Sequence, residues 1–223
     1  MLLKTVGLSK KFKRKTSEFY AVKTASASFE ESSFNFIVGR SGSGKTTFLN
    51  LISALLTPSE GDVLFEEKSI LSMSDKAKSK YRNECIGYVP QGIASLPNLS
   101  VLDNVRLPFF LFNRDGDSEG RALTLLDMMG ILHLKDELPT SLSGGEEKRM
   151  LIARSLMNNP RILIADEPTA NLDRETSKEV MHCIETAKRQ GVAVLIVTHD
   201  SSIIKEDAHL YKMEEGCLSL VEK

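Results

Sequence analysis

Between residues 39 and 46 the chain reads Gly39-Arg40-Ser41-Gly42-Ser43-Gly44-Lys45-Thr46, which satisfies G-x-x-x-x-G-K-[ST] at every fixed position. The chemistry this order supports is the holding of phosphate. Gly39, Gly42 and Gly44 let the backbone turn tightly and bring its N–H groups up to phosphate oxygens. Lys45 is placed to reach the β- and γ-phosphates of a nucleotide, and the Thr46 hydroxyl to take a position on Mg²⁺. An apolar run, Phe34 to Val38, precedes the loop, and a helix-compatible run, Thr46 to Leu56, follows it. The motif requires that strand–loop–helix setting, and the helix start adds partial positive charge.

Two further groups of residues carry chemistry. Arg161-Ile162-Leu163-Ile164-Ala165-Asp166-Glu167 ends an apolar run in two carboxylates. Beside a phosphate-binding loop, Asp166 is suited to hold Mg²⁺ through water and Glu167 to act as general base toward an attacking water. Taken alone, the pair would also suit an acidic cap for the next helix. Leu142-Ser143-Gly144-Gly145-Glu146 places a serine and two glycines at a helix start, able to offer N–H groups and a hydroxyl to an anion. As local structure it is also a capping box, with Ser143 at the N-cap and Glu146 three residues on.

The elements that must position these residues alternate. Strand-like runs are Phe34–Val38, Asp62–Phe65, Ile86–Val89, Ile162–Ala165 and Ala193–Thr198. The last two are continuously apolar, as in a parallel sheet covered on both faces. Helix-like runs are Thr46–Leu56, Asp75–Asn83, Gly120–Met129, Gly144–Asn158 and Arg174–Gln190. Between Pro90 and Pro160 the pattern predicts helices and loops without a strand, a helical lobe inserted into an α/β core. The length of 223 residues suits one domain of this kind. A hydrophobic fraction of 41%, a charged fraction of 26% and a net charge of −1 are those of a globular protein without broad attraction to nucleic acid or acidic lipid. The basic cluster Lys10-Lys11-Phe12-Lys13-Arg14-Lys15 reads as a solvated loop. Cys85, Cys183 and Cys217 lack metal-ligand spacing and read as reduced thiols in a reducing compartment. No apolar run approaches the ~20 residues of a membrane span, and the N-terminus lacks a signal-peptide core, so the chain is expected in the cytoplasm.

With these residues in place the chain resembles the nucleotide-binding domain of ABC (ATP-binding cassette) transporters from near residue 2 to near residue 221. The motifs stand in the family's order. The P-loop Gly39–Thr46 is followed by Gln91 in Val89-Pro90-Gln91 and the signature Leu142–Glu146. Then come Asp166 and Glu167, Asn171-Leu172-Asp173, and His199 in Val197-Thr198-His199-Asp200. The resemblance implies an α/β P-loop NTPase core with a mainly parallel sheet, an N-terminal antiparallel β part and an inserted helical subdomain. Residues 1–90 and 159–223 would form the core and 91–158 the insert. It implies ATP and Mg²⁺ as ligands and a head-to-tail dimer enclosing two ATP, each between the P-loop of one subunit and the signature of the other. Catalysis would fall to Glu167, His199, Gln91 and Lys45, and the metal to Thr46, Gln91 and Asp166. Nucleotide contacts would come from Gly39, Arg40, Ser41, Gly42, Ser43, Gly44, Lys45, Thr46 and Thr47. Gln91, Ser143, Gly144, Gly145, Glu146, Asp166 and His199 complete that set. Asp173 would bridge to the opposite site. Phe12, with Tyr20 as the alternative, would stack on adenine.

Departures from the family pattern are few. Glu30-Glu31-Ser32-Ser33 lacks the usual glycine before the P-loop strand, and Ser32-Ser33 is expected to make that turn. Glu147-Lys148 replaces the commoner Gln-rich pair, while Arg149 keeps its place. The runs Asp103 to Leu111 and Ala170 to Asp173 resemble the lipoprotein-releasing, macrolide-exporter and antimicrobial-peptide-resistance group. Pro90, where that group more often has Phe, departs from it. Nothing follows Lys223, so the expected partners are a second cassette subunit and a separate integral membrane permease, with membrane contact only through the latter and no nucleic acid. The function implied is an ATP-hydrolysing motor for export or extraction of a peptide, lipoprotein or drug-like substrate. The alternative is a cell-division-type or sensory ATPase that transmits force to a membrane partner without cargo. A soluble role in DNA repair or translation would need a long coiled coil or tandem cassettes, and the sequence has neither.

Overall fold

The computed structural model describes residues 1–14, 17–92, 94–112 and 114–221. The chain divides into two compact units, Met1–Arg82 with Ala193–Lys223, and Asn83–Val192.

In the first unit, β1 (Leu3–Arg14) pairs antiparallel with β2 (Ser17–Phe29) and with β4 (Glu60–Phe65), and β4 continues to the short β5 (Lys68–Ser69). This is the N-terminal antiparallel part. The parallel part is built on β3 (Phe34–Val38), which lies between β8 (Ala193–Thr198) and β9 (His209–Glu214). β10 (Cys217–Leu220) runs antiparallel to β9 and parallel to β2, joining the two parts into one mixed sheet. β3 and β8 are almost wholly buried because their sequences are almost entirely apolar, β8 closing on Thr198. The polar exception within β3, Asn35, donates from Nδ2 to Val194 O at 3.1 Å and Ser33 Oγ at 2.8 Å. The turn into β3 is made by Glu31 and Ser32, with Ser32 at φ 53°, as the missing glycine requires.

Helix α1 (Lys45–Ile52) follows β3 and is shorter than its sequence predicts. Ala54 adopts a left-handed φ of 53°, and the N–H groups of Leu55 and Leu56 turn back to Asn50 O at 2.9 and 3.0 Å. That closes the helix as a glycine C-cap would. Residues Lys10 to Arg14 correct the loop expected there. They form the end of β1, opposite Val22 to Ser17 of β2, because Phe12 and Phe19 pair across the strands and Lys11 and Glu18 form an ion pair. Lys15 lies outside the described residues.

Helix α2 (Asp75–Cys85) leads into the second unit, where β6 (Ile86–Val89) pairs in parallel with β7 (Ile162–Asp166). Between them the described residues are helical or irregular: α3 (Val101–Phe110), α4 (Ser118–Met128) and α5 (Gly144–Leu156). α6 (Arg174–Arg189) follows β7. α5 packs against α3, α4, α6 and β6, burying Met150, Leu151, Ile152, Ala153 and Leu156. Arg149 crosses to Glu179 of α6 at 2.6 Å. Among the described residues no helix is long and apolar enough to cross a membrane.

Candidate functional site

The loop from Gly39 to Gly44 is built for close backbone approach. A Cβ on Gly39 would lie 2.3 Å from Met213 O, and one on Gly44 only 2.1 Å from Ala21 O. Gly44 is the N-cap of α1 at φ 108° and Gly42 sits at φ 77°, conformations that side chains disfavour. Strands β2 and β9 thus press on the loop from behind. The turn before β10 adds a hydrogen bond from Gly216 N–H to Ser43 O at 2.9 Å.

Lys45 curls back into this ring. Its ammonium, almost buried, donates to Gly39 O at 2.7 Å and Arg40 O at 2.9 Å, holding the loop around itself. Ser43 Oγ is buried with no hydrogen-bond partner among the described residues. A buried hydroxyl left unpaired is costly and suits a polar ligand that comes and goes. The first turn of α1 carries no acidic side chain to offset the partial charge of its N–H groups. The loop therefore fits a polyphosphate by three separate observations: the glycine cradle, the orphaned Ser43 hydroxyl and the unopposed helix start. Arg40, Ser41 and Thr46 are exposed around it and Thr47 is half-buried.

His199 belongs to the same unit. Val38 and Thr198 are register partners in parallel strands, so the loops beginning at Gly39 and His199 leave the sheet at the same edge. That is the end where open α/β sheets bind ligands. His199 is exposed, followed by a turn in which Thr198 Oγ1 accepts from Asp200 N–H at 2.9 Å. Asp200 accepts from Ser202 N–H at 2.8 Å, and its hydrogen bonds to Ser202 hold its carboxyl below the usual carboxylate range. Phe12 is half-buried, its ring stacked on Phe19 with centroids 5.9 Å apart and Lys10 Nζ 5.4 Å from its centre. Tyr20, exposed, carries Lys11 Nζ at 5.6 Å.

In the second unit the parallel register Val89↔Ala165 brings Gln91 and the pair Asp166-Glu167 out at one edge of β6 and β7. Asp166 and Glu167 are both buried, and Glu167 has a left-handed φ of 50°. Such backbone strain in a non-glycine residue is typical of positions where side-chain aim matters. Neither acid caps α6. Asp173 does, accepting from Glu175 and Thr176 N–H at 2.9 and 3.0 Å, with the Thr176 hydroxyl at 2.5 Å. Those bonds hold Asp173 below the usual carboxylate range. Burial, with the Asp166 charge adding to it, pushes the Tyr88 phenol up to about 12.

The start of α5 is the capping box its sequence predicts. Glu146 Oε2 accepts from Ser143 N–H at 2.8 Å and from its hydroxyl at 2.7 Å, while Ser143 Oγ accepts from Glu146 N–H at 3.4 Å. These bonds hold the Glu146 carboxyl below the usual range. Ser143 and Gly144 are exposed. Gly145 is buried and closely packed: a Cβ there would sit 2.2 Å from Thr176 Cγ2 of α6, so that side chain would have to shift.

Lys148 is the residue that sequence reasoning passed over. It is buried in α5, its Nζ donating to Pro90 O at 3.0 Å and Gln91 O at 2.9 Å. The signal was available: Gly145, Lys148, Leu151 and Ile152 stand at helical spacing on one face, which puts a cation in the buried stripe. Among the described residues no group of three or more His, Cys, Asp or Glu could hold a metal ion. Within the second unit, the Gln91 amide oxygen and the Asp166 carboxylate, which leave β6 and β7 at one edge, are hard oxygens of the kind that suit Mg²⁺.

Comparisons with known proteins agree with this geometry. A sequence profile of the family described as ABC transporter matches residues 22–170. The chain is similar to the dimeric ATP-binding cassette MJ0796 in a post-hydrolysis state bound to ADP and Pi, with 32% identity, TM-score 0.90 and full coverage of both chains. A second dimeric structure of MJ0796, described as a bacterial ABC transporter cassette, matches equally. A nucleotide-free ATP-binding cassette from an ABC transporter matches at 27% identity and TM-score 0.82, over 97% of this chain and 89% of that one. The chain belongs to the ABC transporter family and has its ATP-binding cassette fold.

Proposed function

We propose that this chain is the ATP-binding and ATP-hydrolysing subunit of an ABC transporter, and that two copies enclose two ATP molecules to drive a separate membrane permease. The observation that carries the reading is the phosphate cradle, in which a buried Lys45 and an orphaned Ser43 hydroxyl line a ring of glycines. The relative bound to ADP and Pi as a dimer supports both hydrolysis and pairing. Residues 1–90 and 159–223 serve as the nucleotide-binding core and 91–158 as the insert that meets the permease. The subunit then works at the cytoplasmic face of the membrane, held there by the permease. The cargo we favour is a peptide, lipoprotein or drug-like molecule moved outward, as the runs Asp103 to Leu111 and Ala170 to Asp173 suggest.

Phe12 stacks on the adenine ring. The N–H groups of Gly39 to Thr47 and the Lys45 ammonium hold the β- and γ-phosphates, neutralising charge that grows on the leaving oxygen. Ser143, Gly144 and Gly145 receive the γ-phosphate of the nucleotide held by the second copy, with Glu146 keeping the loop in shape. Glu167 takes a proton from the attacking water as its oxygen bonds to the γ-phosphorus and the bond to the β–γ bridging oxygen breaks, giving ADP and phosphate. His199 and Gln91 hold the water and the γ-phosphate in line. Mg²⁺, held by Thr46, Gln91 and Asp166, supplies charge neutralisation on the phosphate oxygens when bound.

The test is Glu167→Gln, which keeps size and hydrogen bonding and removes the base. Turnover of ATP should fall ~10²–10⁴-fold while ATP still binds and a stable ATP-bound dimer accumulates. Turnover close to wild type would remove Glu167 from the reaction.

A further inference from the structure

Four backbone or side-chain groups in the segment 90–95 are held by side chains of α5. Lys148 Nζ donates to the carbonyls of Pro90 at 3.0 Å and Gln91 at 2.9 Å. Arg154 Nη1 donates to Ala94 O at 2.8 Å, and Glu147 Oε1 accepts from the Ser95 hydroxyl at 2.5 Å. Three residues of one helix thus grip one loop along its length. The Lys148 contacts matter most, because two successive carbonyls turned onto one ammonium fix both peptide planes flanking the Gln91 Cα. The Gln91 side chain remains exposed. Its root is fixed while its amide is left to the solvent side.

A lysine with only 8% of its surface exposed is an expensive way to fill space. A methionine would pack as well at no desolvation cost. The charge is balanced by the two carbonyl dipoles and by Glu147 and Asp166, the nearby acids. We propose that Lys148 is a positioning residue: it sets the backbone of Gln91, and through it ties that glutamine to the helix that begins at Ser143. Movement of the Ser143–Glu146 helix start is then carried to Gln91 without slack. The inference rests on the ATPase reading above, in which Gln91 contacts metal and water.

Wild type, Lys148→Met, Gln91→Ala and the double variant are compared for ATP turnover, ATP affinity and backbone amide exchange. Lys148→Met should lower kcat about 10–100-fold, the order expected when a reacting group shifts by ~1 Å. ATP affinity should stay within about twofold, because the P-loop is untouched. The double variant should be no slower than Gln91→Ala alone, since Lys148 acts only through that residue. Amide exchange between Gly92 and Leu96 should quicken about tenfold without nucleotide, while that of Lys45–Ile52 stays unchanged. A kcat within twofold of wild type overturns the proposal, and so does a loss that multiplies with that of Gln91→Ala. Should Lys148→Met not fold, Lys148→Ala, which removes the donor without adding bulk, is carried through the same cycle and read the same way. If the wild-type chain hydrolyses no ATP, the ATPase reading fails. The exchange comparison still decides the tether, which unchanged exchange would overturn.

Discussion

Gly44→Ala and Gly42→Ala are chemically the same substitution in the same loop, yet the structure separates their consequences. Both glycines have positive φ, 108° and 77°, so each alanine carries backbone strain of roughly 1–2 kcal/mol. A Cβ at Gly42 meets nothing within 4 Å. At Gly44 it would stand 2.1 Å from Ala21 O, a backbone atom that no rotamer change can move away. Relief requires displacing the loop from β2 by more than an ångström, an overpacking cost of about 1–3 kcal/mol in addition. Gly44→Ala should therefore lose roughly 2–5 kcal/mol, about 5–15 °C in Tm for a chain of this size, and Gly42→Ala only a few degrees. The same displacement moves the N–H groups at the start of α1 off the phosphate positions, so ATP affinity should fall by about tenfold or more for Gly44→Ala. Thermal unfolding followed by circular dichroism, and titration with a fluorescent ATP analogue, measure both. Equal Tm and equal affinity for the two variants would refute the crowding argument.

Two further outcomes follow from local chemistry. Ser143→Ala removes the N-cap of α5 and should cost about 1 kcal/mol near neutral pH. The Glu146 carboxyl lies lower folded than unfolded, so its contribution is present above the unfolded value of about 4.3 and disappears as pH falls through the folded value. Urea unfolding should accordingly show the gap between wild type and Ser143→Ala narrowing below about pH 4; a gap that widens there would contradict the capping box as its source. Burial pushes the Cys183 thiol up to about 11, whereas Cys217 is exposed. Iodoacetamide at pH 8 should label Cys217 at least tenfold faster in the folded protein, as peptide mass spectrometry would read, and equal rates would contradict the burial of Cys183.

The parts of the fold that the sequence made plain are those where one physical requirement dominates. β3, β6 and β8 span the runs Phe34–Val38, Ile86–Val89 and Ala193–Thr198 that the sequence marks, because a mostly buried strand has few polar positions to blur its limits. α5 and α6 start at Ser143 and Asp173, whose side chains cap them. The long β1–β2 pair was hidden. Its register shifts between Thr5 and Leu8 and again near Lys10, so alternation never lasts long enough to read, and its charged end mimics a loop. The end of α1 was hidden too, since Ala54 gives no sign of taking a left-handed conformation. α3 ends with Pro108 in its last turns, which breaks the helical signature of Val101–Phe110. In the site, the loop residues were legible because phosphate binding needs glycine at fixed spacing. The supports were not: Ala21, Met213 and Gly216 act through backbone atoms, and backbone contacts leave no mark on residue type. Lys148 was legible in spacing, but in the sequence it stood out only as a departure from the family's Gln-rich pair.

The central claim is that each ATP is completed by two copies of the chain, the P-loop from one and the Ser143–Glu146 helix start from the other. Lys45→Ala removes a charge-assisted phosphate contact worth roughly 1.5–3 kcal/mol, and Ser143→Arg fills the place of the γ-phosphate with a bulky cation. Each variant alone should be inactive. Mixed, they form heterodimers in which one composite site carries both lesions and the other carries none. ATPase rate against mixing ratio, with subunit exchange confirmed by a labelled copy, should rise from zero to a maximum near equal amounts, where up to a quarter of wild-type activity returns if half the dimers are mixed and each has one working site. A rate that stays at zero across all ratios would mean that the helix start serves the nucleotide of its own chain, and the shared site would be wrong.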